Sequence, residues 1–143
     1  MLSFKKHHIV LWMLLGLFLG CATANLPDYI KSTHPYTRKI AGDEVRITEA
    51  VKAVLSSEGW VIASQVNPSV YERRSGGEDQ SKDILLITAP KRSFRGLYMA
   101  STYLNIFVNV LADGAEVEIR SNRRSDKLAS HLLDKIVQEL ESK

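Results

Sequence analysis

Apolar and polar positions recur along the chain with two periods, and each period predicts a different kind of element. Between Asp43 and Glu58 the apolar residues Ile47, Ala50, Val51, Val54 and Leu55 fall on one side at 3.6-residue spacing, with Glu49, Lys52 and Ser56 opposite. This pattern predicts an amphipathic helix. Asp43 is the expected N-cap and Gly59 the expected stop; an alternative start lies at Thr48, with 44–47 extended. A second stripe, Leu128, Ala129, Leu132, Leu133, Ile136, Val137 and Leu140, predicts a closing helix from about Asp126 to Glu141 behind a Ser125 cap.

Between the helices the period shortens to two. Trp60–Gln65 reads as a strand, Asn67–Pro68 as a turn, and Ser69–Arg74 as a second strand carrying Val70 and Tyr71. Residues 75–79, SGGED, read as a loop. Lys82–Ala89 contains the unbroken run Ile84–Ile87, short enough for a central strand covered on both faces. Pro90–Thr102 shows no regular period and reads as an irregular, basic connection. Tyr103–Leu111 then alternates, with Leu104, Ile106, Val108 and Val110 against Asn105 and Asn109. Asp113–Gly114 is a hairpin signal, and Val117 and Ile119 continue the alternation against Glu116, Glu118 and Arg120. The order helix, strands, helix predicts an α+β fold: a two-layer sandwich with an antiparallel sheet of four to five strands and both helices on one face.

The N-terminal third follows neither period. Lys5 and Lys6 precede eleven apolar residues, Ile9 to Leu19, a run suited to a signal-peptide core and shorter than the roughly 20 residues a spanning helix needs. Gly20 and Cys21 close it. This segment, LFLGC, resembles the bacterial lipoprotein signal, in which a small residue and a cysteine follow the apolar core; Phe18 and Leu19 are bulkier than the pattern has at those places. The resemblance implies cleavage before Cys21, diacylglycerol on its thiol, a fatty acyl group such as palmitate on the new amine, and attachment to the membrane through that lipid. Ala22, where an Asp favours inner-membrane retention in many Gram-negative bacteria, implies the outer membrane with the domain facing the periplasm. The domains then read as signal peptide 1–20, lipidated N-terminus and flexible tether 21–42 with a short strand near Tyr36–Ile40, and one α+β domain 43–143.

The order of elements over 43–141 also resembles the helix-grip domains of envelope lipoproteins such as the outer-membrane assembly protein BamC. It is similar to short lipoproteins in which a helix ends in Gly–Trp, here Gly59–Trp60. Neither resemblance carries over a functional residue.

Charge and candidate chemistry narrow the reading. With Lys5 and Lys6 set aside the chain holds 17 basic and 16 acidic residues, a balance that does not predict a nucleic-acid binder. Cys21 is the only cysteine, which excludes an internal disulfide. His34 falls in the tether, and His131 projects about 150° from the apolar stripe of its helix; neither has the oriented neighbour that a catalytic or metal-bound imidazole requires. Ser75–Gly76–Gly77 is followed by Glu78 and Asp79, which would repel a phosphate. Glu116 and Glu118 share one strand face and are expected to lie on a solvated outer surface, and Trp60 to pack back over the helix end. No catalytic residues, metal or cofactor are therefore expected. The best candidate for a functional surface is Lys91–Met99, where Lys91, Arg92 and Arg95 interleave with Phe94, Tyr98 and Met99. Basic groups there would attract anionic headgroups or an acidic partner, and the aromatic and Met side chains would supply contact area. The expected function is that of a lipid-anchored, non-enzymatic envelope lipoprotein that binds a protein partner as an assembly or accessory module. The alternative is a carrier or sensor of a small apolar or lipid ligand.

Overall fold

A computed structural model describes residues 29–31, 35–71, 82–96 and 98–142. Seven strands and two long helices follow in the order β1 (Tyr36–Ala41), α1 (Glu44–Ser57), β2 (Ile62–Val66), β3 (Ile84–Thr88), β4 (Lys91–Arg95), β5 (Tyr98–Thr102), β6 (Leu104–Leu111), β7 (Gly114–Ser121) and α2 (Asp126–Glu141). Five strands form one antiparallel sheet in the order β1-β7-β6-β3-β2, while β4 and β5 pair only with each other. The fold is α+β.

Both helices rest on one face of the large sheet. Their apolar stripes (Ile47, Val51, Val54 and Leu55 from α1; Ala129, Leu132, Leu133 and Ile136 from α2) meet Ile40, Leu86, Leu104, Ile106, Val108, Val117 and Ile119 in one buried cluster. The helix starts are fixed locally. Asp43 accepts hydrogen bonds from the backbone N–H groups of Val45 and Arg46, both at 3.0 Å, and Ser125 Oγ accepts from Leu128 N–H at 3.3 Å. At the end of α1, Gly59 takes φ +72°. It donates to the Ser56 carbonyl at 3.0 Å while Trp60 donates to Leu55 at 2.8 Å. This paired capping pattern turns the chain so that Trp60 folds back into the core, where it is 7% exposed.

Four expectations change. The expected short strand near Tyr36–Ile40 is present but belongs to the folded unit and not to the tether, because Tyr36–Ala41 pairs along its length with β7 and buries Ile40. Gly114 explains how closely β1 fits: a Cβ there would lie 2.0 Å from the Ile40 carbonyl oxygen. Ser69–Val70 is not strand. Asn67 accepts from Ser69 N–H at 2.9 Å and Pro68 opens a 3-10 turn over Pro68–Val70, so local capping wins over two apolar residues. The supposedly irregular connection 90–102 is the β4–β5 hairpin, turned at Gly96 with φ +62°.

The fourth change concerns the second face of the sheet. Glu118 is 1% exposed and Arg120 7%, so the outer side of β7 is not a solvated surface there. Leu85, Ile87 and Phe107 are buried on the same face, with Tyr29, Val66 and Tyr71 packed against them.

Candidate functional site

Every strand of the large sheet and both helices run between two ends of the molecule. At one end lie the start of β1, the end of α1, the ends of β3 and β7, and the starts of β6 and α2. The β4–β5 hairpin leaves from this end, between Thr88 and Leu104. Its base is held firmly. Thr88 Oγ1 accepts from Leu104 N–H at 2.8 Å, Asn122 Oδ1 accepts from Tyr103 N–H at 3.0 Å, and Asn122 Nδ2 donates to the Ser101 carbonyl at 3.2 Å.

In the hairpin, Arg92 faces Ser101 and Phe94 faces Met99, whereas Lys91, Ser93, Ala100 and Thr102 belong to the other side. Ala100, on that other side, is 1% exposed. Lys91 turns the same way: its Nζ donates to the Glu58 carbonyl at 2.7 Å and lies 5.1 Å from the Trp60 ring centroid. A cation is thereby placed on the C-terminal end of α1, where the helix dipole favours it. The outward side presents Phe94, 79% exposed, directly opposite Met99, 53% exposed. Beyond them the surroundings of Gly96 are open, with nothing within 4 Å of a Cβ built there.

The six sequence-predicted surface residues therefore divide. Phe94, Met99 and Arg92 are displayed on the outer side of one element. Arg95 and Tyr98 are partners in the last rung before the turn. Lys91 is engaged with the helix end. No carboxylate occurs from Ile84 through Ala112, so the hairpin bears positive charge alone. Arg123, Arg124 and Lys127 follow at the same end of the molecule.

A second cluster escaped sequence reasoning. Glu118 Oε1 accepts from Arg120 Nε at 2.5 Å, and Arg120 Nη1 donates to the Tyr29 hydroxyl at 3.0 Å and to the Ile30 carbonyl at 3.1 Å. The guanidinium carbon lies 4.2 Å from the Phe107 ring centroid. Tyr29 stacks on Tyr71 at 4.6 Å with 3° between the rings, and Ile30 N–H donates to Asn105 Oδ1 at 2.6 Å. The run Ile84–Ile87 held the signal: a central strand apolar on both sides requires cover on both, and the neighbouring faces of β6 and β7 share that cover. The carboxylate is committed to the guanidinium, and what the cluster does is fasten the chain at Tyr29–Ile30 onto the second face, next to the hairpin base.

The histidine on α2 sits in an exposed network. His131 Nε2 lies 3.4 Å and Lys135 Nζ 2.5 Å from Glu58 Oε1. The Lys135 ammonium holds the Glu58 carboxyl below the usual carboxylate range against the opposing effect of desolvation, and His131 adds to the lowering. Across the same end the Tyr36 hydroxyl donates to Asp126, which holds the phenol above its ordinary value. Among the described residues no group of three or more His, Cys, Asp or Glu is placed to hold a metal, and no helix is long and apolar enough to cross a membrane. An open cleft of about 200 Å³ lies beside α1, lined by Val45, Thr48, Glu49, Lys52, Gln65 and Lys82 among others. Cys21, His34 and the pairs Ser75–Gly76 and Arg73–Arg74 lie outside the described residues.

No protein-family model matches the chain, and no curated protein matches it. Among solved structures it is similar to the crystal structure of the vertebrate conserved region of human METTL16, at 15% identity and a TM-score of 0.48, over 77% of this chain and 100% of that one.

Proposed function

We propose that the chain is a non-enzymatic accessory module of the bacterial cell envelope, held at a membrane by lipid on Cys21 and working by contact through the β4–β5 hairpin. The observation that carries this reading is the Phe94–Met99 pair. Two large apolar side chains face each other in solvent on an element that contributes little to the core, and exposed aromatic and Met side chains of this kind supply contact area in complexes. The anchor rests on the apolar run into Gly20–Cys21. Binding is favoured over catalysis because the titratable groups brought together, Glu118 with Arg120 and Glu58 with Lys135, are spent on one another. Enclosure of an apolar ligand has less support: the cleft beside α1 is smaller than the roughly 300 Å³ at which ligand pockets begin.

Two measurements test the proposal. The intact mass of protein extracted from membranes should equal that of a chain beginning at Cys21 plus diacylglycerol and acyl groups; a mass that includes residues 1–20, or a bare thiol, refutes the anchor. Trypsin cleavage after Arg92 and Arg95 should be slow in intact envelopes and fast in the purified protein. Equal rates in the two preparations refute the hairpin as the contact element.

A further inference from the structure

We infer that the occupant of the hairpin is an anionic lipid surface, so that the protein touches its membrane at two points: the lipid on Cys21 and the apolar tip of β4–β5. The inference rests on the lipid-anchor reading above and adds to it an orientation of the domain.

Three independent observations converge. The first is charge. The hairpin, the loop leading to α2 and the first turn of that helix carry Lys91, Arg92, Arg95, Arg123, Arg124 and Lys127 against Glu58 and Asp126, and the stretch from Ile84 through Ala112 holds no carboxylate. The opposite end of the molecule holds Asp43, Glu44, Asp113, Glu139 and Glu141 against Arg46 and Lys82. The domain is polarised along its length, and its positive end is the one that bears the exposed apolar pair. Cations flanking inserted apolar side chains are what an anionic bilayer surface attracts, each cation contributing roughly fivefold to partitioning.

The second observation is the place at which the chain enters the fold. Tyr29 and Ile30 are pinned by Arg120 and Asn105, which face each other in the last rungs of β6 and β7. The hairpin springs from Leu104, one residue away. Lipid anchor and hairpin thus address the same end of the molecule.

The third is length. Cys21 precedes Tyr29 by eight residues, a reach of at most about 28 Å. The paired strands of the hairpin hold five residues each, a span of about 17 Å. That is shorter than the tether, so a domain standing on the tip of its hairpin lies within the tether's reach. Phe94 and Met99 would enter the headgroup region while Arg92 stays at phosphate level, its aliphatic stem along the interface.

The test uses the mature protein purified from membranes with Phe94→Trp, reconstituted into vesicles of brominated phosphatidylcholine with or without phosphatidylglycerol. Trp60 is buried and serves as the constant background. The introduced indole is expected to shift to the blue and to be quenched several-fold more strongly in the anionic vesicles. High salt, or Arg92→Glu combined with Arg95→Glu, should abolish that difference. Equal weak quenching in both vesicles overturns the inference, as does a photo-crosslinker at position 94 that captures a protein in intact cells in place of lipid. The intact mass of the same preparation reads the anchor separately: an unacylated protein refutes the anchor, while the quenching still reports whether the hairpin seeks anionic lipid.

Discussion

Arg120 joins residues ninety positions apart, and its surroundings determine what its loss would do. Its guanidinium contacts the Glu118 carboxylate, the Tyr29 hydroxyl, the Ile30 carbonyl and the Phe107 ring. Removing the cation strands a carboxylate that is 1% exposed, and breaking a buried pair on one side costs about 3–5 kcal/mol. Arg120→Met should therefore lower stability by that amount in urea unfolding, while Arg120→Met with Glu118→Leu should recover most of it. A second residue-scale prediction concerns Tyr36. Donation to Asp126 favours the protonated phenol, so its folded value lies above the ordinary 10.0. A raised folded value means that the stabilisation is complete below pH 10 and fades as pH rises through the folded value. Tyr36→Phe should remove this part of the alkaline stability loss, measured by thermal unfolding between pH 8 and the alkaline limit. Glu58 has the opposite sign: its carboxyl is lowered, so its contribution is present above the ordinary carboxylate value and lost as pH falls through the folded one.

At the scale of elements, both helices were legible because their stripes meet the core without exception, and their caps are local side-chain chemistry that the sequence displays. The β6–β7 pair was legible for the same reason, its period-2 pattern being joined at Ala112–Asp113. β1 was legible as a short strand near Tyr36–Ile40, with Tyr36 and Ile40 alternating toward the core, but its place in the sheet is set by backbone pairing with β7, which no side-chain period records. The elements that were missed do not bury an alternating stripe. The β4–β5 hairpin puts apolar residues into solvent and a lysine onto a helix end, so its alternation is scrambled relative to the rule that apolar means inside. The cover over the second face was missed because polar residues, Glu118 and Arg120, carry it. The candidate surface was thus found by composition, as basic and aromatic residues in one stretch, while its form as a hairpin was not. Gly114 supplies the test of β1: the 2.0 Å approach to the Ile40 carbonyl leaves no room for a methyl group, and overpacking of this kind costs about 1–3 kcal/mol. Gly114→Ala should accelerate amide exchange across residues 36–41 well before β3 is affected. Phe94→Ser with Met99→Ser should leave stability within about 0.5 kcal/mol, as surface changes do, because neither side chain belongs to the core.

For the molecule as a whole, the question is where the folding unit begins, and the structure places that point well before the first helix. β1 satisfies the outer edge of β7 and adds Ile40 to the core; without it the ladder of six residue pairs is opened and an apolar side chain worth about 1.5–3 kcal/mol of burial is lost. Tyr29 and Ile30 add acceptors for a buried guanidinium, and hydrogen bonds to charged groups contribute about 1.5–3 kcal/mol each. Three chains separate these contributions. One starting at Ala22 keeps both, one starting at Pro35 keeps β1 alone, and one starting at Asp43 keeps neither. The first should unfold cooperatively at the highest temperature and the second should lose about 3–6 kcal/mol. The third should show no cooperative transition, because the combined losses approach the 5–15 kcal/mol that holds a domain of this size. Equal melting of the first two would mean that the chain at Tyr29–Ile30 is not clamped, and the orientation of an anchored domain would then be set by the hairpin alone.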